Sequence, residues 1–161
     1  MTNYFKKDFI INSLIVLTIF FLDRVSKLYV IYLSEKNLSY NLFQSKFFNI
    51  SLIWNEGIAF GLFSFDQKIY YNFLTILIIL ITLIIFWMII KTEKFERFAF
   101  MMIFGGSIGN IFDRLFYSAV PDFIDFHIKN FHWFIFNVAD IFITIGVIIL
   151  IYSEVFLKNK I

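Results

Sequence analysis

Between Gly105 and Asp140 the sequence gathers Asn110, Asp113, Arg114, Asp122, Asp125, Asn137 and Asp140, in the runs GGSIGNIFDR, SAVPDFIDF and FNVAD. They sit at the edges of two apolar runs. An ionisable side chain at membrane depth costs roughly 3 kcal/mol on translocon scales, so each is a candidate for function. The chemistry open to them is narrow. There is no cysteine, which removes disulfides, thiol catalysis and cysteine-based metal sites. Two carboxylates brought together do not both ionise cheaply, so one proton is shared. The ionised member can take a proton from water while the protonated member donates to a carbonyl oxygen, which suits hydrolysis of an amide.

Asp140, one turn into an apolar run, and Asp122, in the loop before it, form the candidate pair. Asp125 is the rival of Asp122, and pattern alone leaves that choice open. The bland alternative is that these acids cap helices or pair with Arg114. Asn137 suits an N-cap, and Asp140 suits the positive end of the same helix. Asp113 and Arg114 are adjacent opposite charges and read as a buried structural pair. Asp23 and Lys27, at i and i+4, can pair on one helix face. Asn55, Glu56 and Gly57 either grip substrate amides or form a turn. His127 and His132, with Ser118 nearby, are weak grounds for a metal site or a triad, and no metal or cofactor is expected.

The elements that position these residues follow from composition. The chain has 161 residues, 60% of them hydrophobic and only 16% charged, against roughly 25% in a soluble domain. It reads as a single all-α integral membrane domain over 1–161. Four transmembrane helices are expected at about 9–33, 69–90, 98–115 and 137–156. The second, without a charge, has the ~20 residues needed to cross ~30 Å of hydrocarbon. The third carries Gly105, Gly106 and Gly109, small residues that let helices approach closely, and is expected to pack centrally. KTEKFER (91–97) reads as a tight charged loop. A cleaved leader is not expected: the first run is too long and lacks a small-residue cleavage site.

Two other segments read as non-spanning loops, 34–68 and 117–136. The first alternates short apolar pieces with polar residues around Phe47–Trp54, the pattern of a small β and interfacial-helix subdomain between helices 1 and 2. Its Phe60–Phe65 run suits the headgroup level. Pro121 biases Val120 to extended backbone. Lys6, Lys7, Lys91, Lys94, Arg97, Lys158 and Lys160 fall on one side, and Lys36, Lys46, Lys68 and Lys129 on the other. The positive-inside rule puts both termini in the cytoplasm and both loops outside.

Taken together these motifs resemble the lipoprotein signal peptidases (signal peptidase II), aspartyl enzymes of bacterial membranes. The match runs nearly end to end: D-x-x-x-K at Asp23 and Lys27, N-x-G-x-A-F at Asn55, Gly57, Ala59 and Phe60, G-G-x-x-G-N-x-x-D-R from Gly105 to Arg114, V-x-D-F at Val120, Asp122 and Phe123, and F-N-x-A-D from Phe136 to Asp140. Pro121 departs from the family pattern, which more often has Val there, and leaves the carboxylate in place. The resemblance implies that Asp122, not Asp125, joins Asp140 in a catalytic dyad. It also implies that Asn110, Asp113, Arg114, Asn137, Asp23, Lys27 and Gly57 organise the site and that Asn55 helps hold the substrate. The implied substrate is a diacylglyceryl-modified prolipoprotein, cut just before its lipidated cysteine in the bacterial inner membrane. Membrane lipid is then the other partner, nucleic acid is not one, and the chain is expected to act as a monomer.

Two competing readings come from other classes. A small proton- or ion-conducting transporter also uses buried acids, but its path needs polar residues through the full depth, and the second run offers little beyond Thr75 and Thr82. A non-catalytic assembly subunit would use the same polar residues to bind helices together.

Overall fold

The computed structural model describes residues 2–57, 67–129, 131–132 and 134–157. Ala59, Phe60, the rest of the Phe60–Phe65 run, and Lys158 and Lys160 lie outside these. Four long helices dominate: α1 (Thr2–Asn37), α2 (Gln67–Lys91), α3 (Lys94–Tyr117) and α4 (Val138–Tyr152), the last running on as a π turn, Ser153–Leu157. Among the described residues, Ile69–Lys91 and Val138–Leu157 are long and apolar enough to cross a membrane. The expected charged loop at 91–97 is shorter than the sequence suggested. Helix α3 already begins at Lys94, and its charged first turn becomes part of the helix.

Helix α3 is the hub, packed against α4, α1 and α2. Its glycines permit this. A Cβ on Gly106 would lie 2.6 Å from the Ala139 carbonyl oxygen, and one on Gly109 would lie 2.5 Å from Asp23 Oδ2. The pairs Gly105–Ile19 and Gly109–Asp23 advance together, so α1 and α3 run parallel. The pairs Gly106–Ala139 and Ile103–Gly146 run in opposite senses, as do Phe104–Phe86 and Arg114–Tyr71, so α4 and α2 are antiparallel to α3. The four helices alternate up and down.

At one end sits a four-stranded antiparallel meander of β1 (Asn41–Gln44), β2 (Phe48–Asn55), β3 (Val120–Ile128) and β4 (Phe131–His132). The sequence placed the β-subdomain between helices 1 and 2 alone. Instead the second loop contributes half of its strands, because β2 pairs with β3 from Phe48↔Phe126 to Asn55↔Val120. This pairing satisfies backbone groups on the facing edges of β2 and β3, which the β1–β2 and β3–β4 pairs within each loop leave open. Between Ile50 and Ile53 the register shifts, with one extra residue in β2. Such a bulge bends and twists a strand, here just before it delivers Asn55. Val30, Leu52 and Phe123 form a buried cluster with Val138 against it, fastening the sheet to the ends of α1 and α4. The Phe136 carbonyl accepts from the backbone of Phe123 and Ile124 at 3.0 and 2.8 Å. The residue before the α4 cap is thereby tied to the strand that carries Asp122.

Candidate active site

The first turn of α4 makes the centre of the site. Asn137 has extended backbone (φ −126°, ψ −178°) and caps the helix. Its Oδ1 accepts from the Asp140 N–H at 3.1 Å, and Asp140 Oδ2 accepts from the Asn137 N–H at 3.1 Å. This reciprocal capping box satisfies two otherwise orphaned donors and locks both side chains. The other end of the same amide reaches the sheet: Asn137 Nδ2 donates to Asp122 Oδ1 at 2.6 Å. Asn137 is fully buried, so it holds the two aspartates to either side of one immobile group.

Each aspartate then has a second amide. Asn55 Nδ2, at the end of β2, donates to Asp122 Oδ2 at 2.8 Å. Asn55 Oδ1 accepts from the Gly57 N–H at 2.7 Å. Gly57 sits at φ +80°, a left-handed conformation open to glycine at little cost. On the opposite side, Asn110 Nδ2 donates to Asp140 Oδ1 at 2.9 Å, and Asn110 Oδ1 accepts from Lys27 Nζ at 2.7 Å.

Lys27 leads down into a buried ion cluster. Its ammonium is fully buried, 2.7 Å from Asp113 Oδ2 and 2.9 Å from Asp23 Oδ1. Arg24 Nη2 donates to Asp113 Oδ2 at 2.6 Å and to Asp23 Oδ2 at 3.1 Å. Two cations and two anions cancel, as a charge set inside a membrane protein requires. Asp23 Oδ1 also accepts from the Ala139 N–H at 3.1 Å, another of the first N–H groups of α4. The expected Asp23–Lys27 pair is present as part of this larger cluster. The expected Asp113–Arg114 pair is not. Successive helix residues point about 100° apart, and Asp113 faces α1 while Arg114 Nη1 turns back to the Asn110 carbonyl at 3.2 Å. Arg24 is the residue that sequence reasoning missed. The signal was there: the apolar run at 9–33 holds two cations and one acid, and so needs a second acid from elsewhere.

Asp122 lies on the strand, only 4% exposed. Burial pushes its carboxyl up to about 6, and the charge of Asp140 adds to this, while Asn55, Asn137 and Lys27 pull the other way. The rival Asp125 goes elsewhere. An odd offset along a strand reverses the face, and Asp125 contacts Asn49 at 3.1 Å and His132 Nδ1 at 2.8 Å, not the α4 cap. The site can therefore present two carboxyl groups, one of them titrating near neutrality, to a bond held between the sheet and the end of α4.

Comparison with known proteins points the same way. Residues 15–156 match the family model described as signal peptidase (SPase) II. The chain is 52% identical over 154 residues to a lipoprotein signal peptidase of Pelagibacter ubique, covering 96% of this chain and 93% of that protein. It is 44% identical over 139 residues to one of Francisella tularensis subsp. mediasiatica, covering 83% and 86%. A bacterial membrane enzyme structure obtained by the in meso method at 1.9 Å resolution aligns with TM-score 0.75 and 32% identity, covering 90% of this chain and 92% of that one. A second such structure, at 2.3 Å, aligns with TM-score 0.73 and 31% identity over 93% and 91%. The chain belongs to the signal peptidase II family, and with it to the proteases of bacterial membranes.

Proposed function

We propose that the protein is an aspartic endopeptidase that removes the signal peptide from diacylglyceryl-modified prolipoproteins, cutting before the lipidated cysteine, with Asp122 and Asp140 as its catalytic pair. The observation that carries the assignment is Asn137, which binds Asp122 through one end of its amide and Asp140 through the other. A purely structural cap needs only the second contact. The pair shares a proton: the ionised carboxylate takes a proton from the attacking water, and the protonated carboxyl donates to the scissile carbonyl oxygen. Asn110, Asn137 and Asn55 hold the carboxyl oxygens in place, so little reorganisation is needed as charge develops. The buried ion cluster fixes Asn110 through Lys27 and fixes the start of α4 through Asp23.

In this reading all four helices span the inner membrane, both termini are cytoplasmic, and the sheet and aspartates lie at the outer interface. The alternating helix directions and the lysine distribution support that topology. The lipid chains of the substrate stay in the bilayer while the cleavage site reaches the sheet, and the chain acts as a monomer. A transport function has no support: Ile69–Ile90 carries no charge, and the relatives named above are peptidases. The test is cleavage of a synthetic prolipoprotein with and without its diacylglyceryl group by the purified protein. Cleavage of the lipidated form alone is expected. Equal cleavage of both would remove the proposed specificity, and cleavage of neither would remove the proposal.

A further inference from the structure

We infer that Asp125, His127 and His132 form a binding site for one divalent transition-metal ion of the Zn2+ type, on the opposite face of β3 from the catalytic aspartates. Three observations carry it. First, strand alternation puts Asp125 and His127 on one face, and His132 of β4 is the direct cross-strand partner of His127. The three side chains therefore converge, with one ligand atom from each lying within 4.8 Å of the others. His132 Nδ1 and His127 Nδ1 stand 2.8 and 3.8 Å from Asp125 Oδ2. Those values bracket the ~3.3 Å ligand–ligand edge of a tetrahedral ion with bonds of ~2.0–2.1 Å.

Second, His127 Nδ1 is buried without a hydrogen-bond partner, on a side chain only 10% exposed. Its 3.8 Å separation from Asp125 is beyond hydrogen-bond length. An enclosed imidazole nitrogen aimed at a carboxylate without touching it is what an ion between them would complete. Third, Asn49 Nδ2 donates to Asp125 Oδ2 at 3.1 Å, the kind of outer contact that orients a metal-binding carboxylate. The stacked rings of His127 and His132, 4.9 Å apart, limit how either can turn away.

Two imidazoles and one carboxylate match borderline ions such as Zn2+. Mg2+ and Ca2+ require six or more oxygens. The set leaves one position for water. The ion would clip β4 to β3, the strand that carries Asp122, and so would stiffen the sheet without entering the reaction.

The experiment uses tag-free, full-length protein in detergent micelles, stripped with a chelator and titrated with Co2+ and then Zn2+. One equivalent of Co2+ is expected to produce visible d–d absorption that Zn2+ abolishes, and Zn2+ is expected to raise the thermal midpoint. His127→Ala and His132→Ala should each weaken binding at least ~10-fold, and Asn49→Ala by ~10-fold or more, in keeping with the loss of ligands and their supports. His132 is half exposed, so its replacement leaves the packing intact, and a metal-free melt of each variant checks this. No spectrum in the wild type would overturn the site. Unchanged affinity in both histidine variants would show an adventitious ion only.

Discussion

Replacing Asp122 by Asn is expected to stabilise the folded protein at neutral pH. In the folded state this carboxyl is pushed up to about 6 from 3.8, chiefly by burial. The folded form therefore holds the proton more tightly than the unfolded form. Stability is greatest below pH ~4 and falls as pH rises through about 6, the reverse of a salt-bridged aspartate. At ~1.36 kcal/mol per pH unit, the gap corresponds to ~3 kcal/mol of destabilisation above pH 7. Asn removes that penalty. It also turns one of two acceptor oxygens into an NH2, so that either Asn55 or Asn137 loses its hydrogen bond, at ~1 kcal/mol. The net gain is ~2 kcal/mol at pH 7.5, or ~4–8 °C in Tm for a chain of this size. At pH 4 the gain shrinks to ~0.5 kcal/mol, and against the lost hydrogen bond of ~1 kcal/mol the variant is slightly the less stable. Thermal melts of both proteins in one detergent, from pH 4 to 8, measure this directly. A variant less stable than the wild type by the same amount at every pH would refute the reasoning. It would mean that Asp122 is a structural member whose contacts, and not its charge, the fold needs.

Three further outcomes follow from the contacts around the pair. Lys27→Met leaves Asp23 and Asp113 with Arg24 alone in a buried cluster, and a loss of ~3–5 kcal/mol is expected in denaturant or thermal unfolding; unchanged stability would show that the cluster is solvated. Asn55→Leu removes the foremost group that holds the Asp122 carboxyl down, so the limb of the pH–rate profile that reports Asp122 should move to higher pH, whereas a shift to lower pH contradicts that account. Gly109→Val would drive a side chain into the Asp23 carboxylate, and both Tm and activity should fall, as overpacking at a helix crossing costs ~1–3 kcal/mol; a variant with wild-type Tm would deny the close approach of α1 and α3.

What could be read from the residues was mostly local. Asn137 and Asp140 lie three apart at the start of an apolar run, and a capping box depends on nothing further away. The glycines of α3 marked the hub because close approach leaves small residues in the sequence. Pairing across long distances was not legible. Asp113 stands beside Arg114 in the chain, yet helix geometry turns the two apart, and its true partners are 89 and 86 residues away. The sheet was half seen for the same reason. Alternation around Phe47–Trp54 revealed β2, but its pairing with β3 joins two loops separated by two helices. Residue pattern alone left Asp122 and Asp125 as rivals, because their opposite faces follow only from the strand that carries both.

The central claim is that Asp122 and Asp140 together cleave the substrate. It is tested most directly by single-turnover cleavage of a lipidated prolipoprotein with purified Asp122→Asn and Asp140→Asn, each shown by its melt to be folded. Each variant is expected to lose cleavage entirely within the limit of the assay. Turnover retained by either folded variant would contradict the dyad.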